Sequence, residues 1–558
     1  MNLLATWSND LLWHLRIAWR AFKNMMRLVV RDPAWAIATI ATSPLRLLRY
    51  IIACLVVFLG IGMMMLFLES HLPAIIYKPV AFIINVSAFI LIFRFIVNPM
   101  ILHFGDEEGA DITHGSARFA DEKEIKPLAQ SAGGVLIGRD PKSHKVLRYD
   151  GPAHLLTIAP TRTGKGVGTV IPNLLTLDRS IVCVDPKGEN ARIAGRARGR
   201  FGPVHVLDPF GVTGAPSASY NPVGLLDPAG IDVAEDAATL ADALVYDAPG
   251  EAGEAHWNDE AKALIAGVLL YIVAEESPER RTLATLREYL TLAPDAFFAL
   301  LEKMQVSKAA GGLAARAANR HLGKSDREAT GVLSAAQRHT HFLDSPRMTA
   351  VLSKSDFAFA DLKTRTASIF LVLPPDRLGT YARWLRLMVS QSLQETVRTK
   401  GTGAVLYLLD EFAALGYLAP MERAMGLMAG YGVQLWPILQ DIHQLRAVYG
   451  QRAGTFLSNA GVLQVFGVND HEGAQLVSNL LGSETVVFST MSRALDSDLT
   501  GISYAAHHTA RPMLTPEEVR GLAPHLELLF LAGQRPVLAQ KLQYFADREF
   551  QGLYDQAA

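Results

Sequence analysis

Residues 154–176, HLLTIAPTRTGKGVGTVIPNLLT, constrain this chain more than any other stretch. An apolar run, HLLTIA, passes straight into a glycine-rich turn and then into a segment of helical character. A strand that ends in such a turn and restarts as a helix is a unit of a parallel α/β sheet. The turn also has a chemical reading. In a phosphate loop, successive backbone N–H groups and a helix N-terminus face the phosphates, and a lysine neutralises the outer charges. The strict spelling is G-x-x-x-x-G-K-[ST]. Here Gly164 and Lys165 are in place, but Ala159 replaces the first glycine. Gly166 stands where Ser or Thr normally offers magnesium a hydroxyl. Thr161, Arg162, Thr163, Gly164, Lys165, Gly166 and Val167 are therefore the candidate phosphate-binding residues. Taken alone, a glycine-rich turn that happens to hold a lysine reads the same way.

A nucleotide site needs a second half, a carboxylate at the end of an apolar strand. VLYLLDE (405–411) supplies it. Asp410 can reach a magnesium-bound water from the strand's carboxyl end, and Glu411 is placed to polarise an attacking water. The plainer alternative is a polar turn that closes a strand. About thirty residues on, VQLWPIL (433–439) ends at Gln440, which could sense a γ-phosphate or position water. Asp185, closing SIVCVD (180–185), is a competing acidic strand end, although nearby Lys187 fits an ion-paired turn equally well.

The start of the chain has a different character. Tyr50–Leu68 is a run of 19 residues without a charge, and Pro79–Val97 is equally long with one charge, Arg94. At 1.5 Å per residue each would span roughly 28 Å as a helix, close to the hydrocarbon thickness of a bilayer. The pair reads as a transmembrane hairpin rather than as two buried core helices. The first 50 residues carry Arg16, Arg20, Lys23, Arg27, Arg31, Arg46 and Arg49 against Asp10 and Asp32. Five of these fall on one helical face beside Trp13, Trp19 and Phe22, the pattern of an interfacial basic helix or a solvated one. The excess of positive charge places residues 1–49 in the cytoplasm, and two spans (50–98) return the chain there. With seven basic and two acidic groups in the leader, the rest holds 46 and 52, a balance of −6. Nucleic-acid contact must then come from a local patch. Cys54 and Cys183 suggest neither a disulfide framework nor a thiolate metal site.

Beyond residue 98, strand-like runs at 154–159, 180–185 and 205–208 precede a stretch, 232–350, with helical composition throughout. Further strand-like runs follow at 366–374, 404–410, 433–439 and 461–468. This predicts a mostly parallel sheet built from both sides of an all-helical insertion, with parts at 99–231 and 351–558. Glycine-rich 211–219 and 248–254 read as linkers.

The chain resembles the type IV coupling proteins, membrane-anchored ATPases that link DNA-processing complexes to type IV secretion channels. HGSARFA (114–120), APTRTGKGVG (159–168), VDPKGE (184–189) and LLDEFAALG (408–416) carry the resemblance. AGYGVQLWPILQ (429–440), FGVNDHEGAQLVSNLLG (466–482) and RPMLTPEEVR (511–520) extend it. The resemblance implies a RecA-like P-loop motor with an inserted helical domain, preceded by two transmembrane helices, in a hexamer at the bacterial inner membrane. It assigns Lys165 to the phosphates of ATP, Asp410 to Mg2+, Glu411 to water activation and Gln440 to γ-phosphate sensing. Its implied partners are a relaxase with single-stranded DNA, inner-membrane components of the secretion system, and the lipid bilayer. A trans-acting arginine is also implied, with Arg423 and Arg446 both candidates. Two other readings stand beside this one: a coupling ATPase that delivers protein effectors, and a membrane scaffold that binds nucleotide without hydrolysing it.

Overall fold

The computed structural model describes residues 44–82, 84–87, 113–245, 255–493 and 502–556, with positions 19, 21–23 and 25–26 of the leader. Among these the chain forms two compact units. One comprises the described part of 1–116 with 485–510, and the other comprises 117–484 with 511–558.

The larger unit is built on an eleven-stranded sheet. Its strands in chain order begin with β1 (Val135–Arg139), β2 (Val146–Tyr149), β3 (His154–Ile158), β4 (Ser180–Asp185) and β5 (Val204–Leu207). After a helical stretch come β6 (Ser368–Val372), β7 (Val405–Leu409), β8 (Val433–Leu439) and β9 (Ala460–Val465). A hairpin, β10 (Ser483–Arg493) and β11 (Ile502–Pro512), forms a two-stranded sheet of its own. The chain then returns to the large sheet with β12 (Leu526–Leu531) and β13 (Val537–Gln540). The order is β2-β1-β13-β12-β9-β3-β8-β7-β4-β6-β5. From β9 to β5 every pairing is parallel. From β9 to β2 every pairing is antiparallel.

The parallel half follows from composition. Every residue of β3, β4, β6, β7 and β8 is buried, as expected of strands covered on both faces. The antiparallel extension corrects the sequence expectation, which held no strand at 135–139, 146–149, 526–531 or 537–540. These strands are short, and β12 carries Glu527 as its second residue, so neither a long apolar run nor strict alternation marks them.

Between β5 and β6 the described chain is helical, from Val233–Leu244 to Pro346–Val351. Ala255–Glu275 lies at its centre, burying Leu264, Ile265, Val268, Leu269, Ile272 and Val273. Gly267 is required there: a Cβ would lie 2.2 Å from Ala317 Cβ on the helix Ala309–Leu322, so the two backbones meet closely. Residues 211–219 are not a linker. Asp208 accepts from Thr213 N (2.7 Å), and Ala218 N donates to Val206 O (2.8 Å), folding the segment back on β5. The other linker candidate, 248–254, lies outside the described residues.

The first apolar run falls within the 28-residue helix Pro44–His71. The second begins in helical residues 74–82 and 84–87, and its remainder lies outside the described residues, as does most of the basic leader. Among the described residues no helix is long and apolar enough to cross a membrane. The two spans are therefore not shown.

Candidate nucleotide site

β3, β8 and β7 are neighbours in the sheet and run parallel, so their carboxyl ends open on one edge. That edge, where successive loops converge, is where α/β sheets hold ligands. The residues following these strands are Ala159–Lys165, Gln440, and Asp410 with Glu411.

The loop after β3 turns through Arg162 (φ 64°) and Gly164 (φ 96°), both left-handed. Gly164 adopts this at little cost, whereas a non-glycine residue such as Arg162 stores strain. Ala159 is not among the positive-φ residues, which is why alanine serves in place of the first glycine. Thr163 Oγ1 donates to Pro160 O (2.6 Å) and closes the turn. Thr161 and Arg162 are exposed, and Thr163 to Val167 are partly buried.

The expected single helix after Lys165 is in fact two pieces: a π-helical turn, Gly166–Val170, and an α-helix, Ile171–Thr176. The π-turn closes with Ile171 N donating to Gly166 O. In the same register Val167 O would next be served by residue 172, but that residue is Pro172, which has no N–H. Tyr544 N fills the gap at 3.4 Å. On the buried side of this helix, Asn173 is bonded to Leu136 N (2.7 Å), Leu136 O (3.0 Å) and Thr169 O (2.8 Å), which ties β1 to the loop's helix.

Lys165, Asp410, Glu411 and Gln440 come together. Lys165 Nζ donates to Glu411 Oε1 at 2.6 Å and lies 3.7 Å from Asp410 Oδ1. Gln440 Nε2 donates to the other oxygen of Glu411 at 3.1 Å. Glu411 itself is left-handed (φ 59°), a conformation that costs a non-glycine residue about 1–3 kcal/mol and gathers at functional sites. Both of its oxygens are engaged, so here it braces the loop's lysine.

Asp410 Oδ1 is buried without a hydrogen-bond partner. Burial pushes the Asp410 carboxyl up, Lys165 pulls it down, and Glu411 adds to the rise. A buried carboxylate oxygen that no hydrogen bond satisfies, with only the Lys165 ammonium 3.7 Å away, fits magnesium, directly or through water. Among the described residues no group of three or more His, Cys, Asp or Glu could hold a metal. Magnesium bound by one carboxylate together with nucleotide phosphates needs no such cage. At Gly166 a Cβ would meet nothing within 4 Å, so that side of the loop is open.

Asp185, the competing strand end, bonds the first turn of the helix that follows it. It is 1% exposed and accepts from Ala191 N at 2.8 Å at the start of the helix Glu189–Arg198. Burial raises it to about 6 against the opposing pull of the Ala191 and Asn190 amides. Lys187 is exposed. Of the two arginine candidates, Arg446 is paired with Glu472. Arg423 is exposed on the helix Ala419–Leu427, at a cavity of about 370 Å³ that Arg386 and Leu427 also line.

The profile of the type IV secretory system conjugative DNA transfer family matches residues 115–557. The chain belongs to this family, the type IV coupling proteins. Among the coupling proteins it is similar to the conjugal transfer protein TraG of Escherichia coli, at 30% identity over 501 residues, covering 79% of this chain and 78% of that one. It is also similar to VirD4 of Agrobacterium fabrum, at 28% over 506 residues, with 87% and 72% covered. In fold it is similar to the bacterial conjugative coupling protein TrwB lacking 70 N-terminal residues, at 17% identity. The TM-score is 0.60, and 78% of this chain and 95% of that one are covered. TrwB in complex with the ATP analogue ADPNP gives 0.59 at 19% identity, with 79% and 97% covered. The chain thus shares the α/β fold of TrwB.

Sequence reasoning missed the polar network behind the loop. Gln464 Oε1 accepts from Thr157 Oγ1 (2.8 Å) and Thr169 Oγ1 (3.2 Å), and Gln464 Nε2 donates to Glu527 (2.7 Å). Trp436 Nε1 donates to Thr157 Oγ1 at 2.8 Å. The chain of bonds crosses β8, β3, β9 and β12. A glutamine or glutamate inside a predicted strand reads as solvent-facing, so only the fold reveals it.

Proposed function

We propose that this coupling protein is an ATP-driven motor that recruits relaxase-bound single-stranded DNA to a type IV secretion channel and energises its transfer. The observation that carries the proposal is the convergence of Lys165, Asp410, Glu411 and Gln440 at the ends of three adjacent parallel strands. Lys165 holds the outer phosphates of ATP, and the amides of 163–167 hold the inner ones. Asp410 holds Mg2+, which when bound spreads the charge of the transferring phosphoryl group. Glu411, released from Lys165 when phosphate takes its place, orients and polarises water, and Gln440 reports the γ-phosphate. Relatives support this assignment of ligands: TrwB has been solved with ADPNP and with ADP and Mg2+.

The assembly reading is a homohexamer, with an arginine contributed from a neighbouring subunit. The membrane reading is a two-span protein of the inner membrane, with residues 1–49 and the main body cytoplasmic. In support, Val56, Phe58, Leu59, Met63, Leu66 and Phe67 of the helix Pro44–His71 are all exposed, which suits lipid better than water. Inner-membrane components of the secretion system are the partners nearest such spans.

Relaxase-dependent plasmid transfer tests the cargo. A strain lacking the protein regains transfer with wild type and not with K165A. Restored secretion of protein effectors without plasmid transfer would replace DNA by effectors as the cargo.

A further inference from the structure

The last strand of the large sheet delivers residues 541–544 onto the back of the phosphate loop, at three points. Lys541 Nζ donates to Thr163 O at 2.6 Å. Leu542 O lies against Gly168, where a Cβ would come within 2.8 Å of it. Tyr544 N donates to Val167 O, the carbonyl that Pro172 leaves unserved. We propose that Lys541 is a positioning residue of the phosphate loop, holding it in the open, phosphate-accepting curve from the side opposite the nucleotide. This rests on the nucleotide-site reading above.

The geometry sets the side on which Lys541 acts. In a phosphate loop the N–H groups point inward to the anion and the carbonyls point out. A lysine that donates to the Thr163 carbonyl therefore braces the loop from behind and leaves the phosphate seat free for Lys165. Lys541 is itself fixed. Its backbone N donates to His525 O (2.8 Å), and its ammonium lies 4.9 Å from the Phe466 ring centroid. The turn at Gly467 presses on the same residue of the loop, since a Cβ there would lie 2.4 Å from Thr163 Cγ2. Burial lowers the Lys541 pKa, and Glu527 offsets this. Without this bond, the strained backbone at Arg162 is free to relax into curves that do not accept phosphate. Apparent affinity then falls by the fraction of loops left competent.

The test uses the full chain in detergent and a fluorescent N-methylanthraniloyl ADP with magnesium as the probe. Lys541→Met, which keeps the aliphatic stem and loses the donors, should weaken binding about tenfold. Lys541→Arg should recover most of it. Under turnover, KM should rise with kcat nearly unchanged, a split that general loss of structure does not produce. Lys363→Met is the comparison, because Lys363 Nζ makes the same kind of bond to Tyr431 O (2.8 Å) before β8. It should leave probe affinity unchanged. If Lys541→Met does not fold, the milder Lys541→Gln should show the same loss. Lys165→Ala separates the two claims. Equal binding by wild type and K165A would overturn the nucleotide site and this inference with it. Binding lost in K165A but within twofold of wild type in K541M would overturn the role of Lys541 alone.

Discussion

Lys165 Nζ sits 2.6 Å from Glu411 Oε1, and Gln440 holds the other Glu411 oxygen at 3.1 Å. The residue expected to hold phosphate and the residue expected to activate water thus neutralise each other in this structure. On the proposed assignment nucleotide displaces that pair before either acts, which makes phosphate binding and release of the base one event.

Glu411→Gln follows from this pairing. It removes the carboxylate's grip on Lys165, so nucleotide should bind at least as tightly as in wild type. It also removes the base, so kcat should fall about 10²–10³-fold. Equilibrium binding together with single-turnover phosphate release checks both halves. A fall in affinity that matches the fall in rate would mean that Glu411 is only a structural brace.

The two glycines after Lys165 should behave differently. At Gly166 the space for a Cβ is open, so Gly166→Ser should change turnover by no more than about threefold. Gly168→Ala drives a Cβ to 2.8 Å from Leu542 O and should destabilise the fold by about 1–3 kcal/mol. Thermal unfolding and phosphate release, measured on both variants, give the contrast.

Much of the site was legible because its strands are buried on both faces. β7 reads as an uninterrupted apolar run and β8 as one broken only by Gln434, and Asp410, Glu411 and Gln440 are the first polar residues after them. The loop's rear support was not legible. Lys541 meets Thr163 across 378 residues of sequence, and a lone lysine after a short strand carries no local signal. Glu527 was hidden by its charge, since a glutamate as the second residue of the short run LELLFL gives no sign of a buried strand. In the fold it is 1% exposed and held by Gln464.

Glu527 makes stability depend on pH. Burial raises its carboxyl from 4.5 to about 8. Between those values the folded chain keeps a proton that the unfolded chain has released, so stability falls as pH rises through that window and levels off above it. Glu527→Gln removes this loss. The variant should match wild type near pH 5 and exceed it by roughly 3–5 kcal/mol above pH 8. Denaturant unfolding at the two pH values decides it. An advantage for the variant that is equal at both would show that Glu527 does not titrate in this range.

The membrane topology has its own test. In intact cells, cysteine placed at His71 should react with an impermeant thiol reagent, and cysteine placed at Arg20 or Lys303 should not. Protection of position 71, with the protein in the soluble fraction, would remove the two-span arrangement.

The most direct measurement of the central claim is magnesium-dependent phosphate release by wild type, Lys165→Ala and Glu411→Gln, with and without single-stranded DNA. The proposed DNA-transfer motor predicts turnover in the wild type that rises with DNA. It also predicts a drop of at least about 10²-fold in both variants, with nucleotide retained only by Glu411→Gln. Equal rates in all three proteins would contradict the assignment of the site.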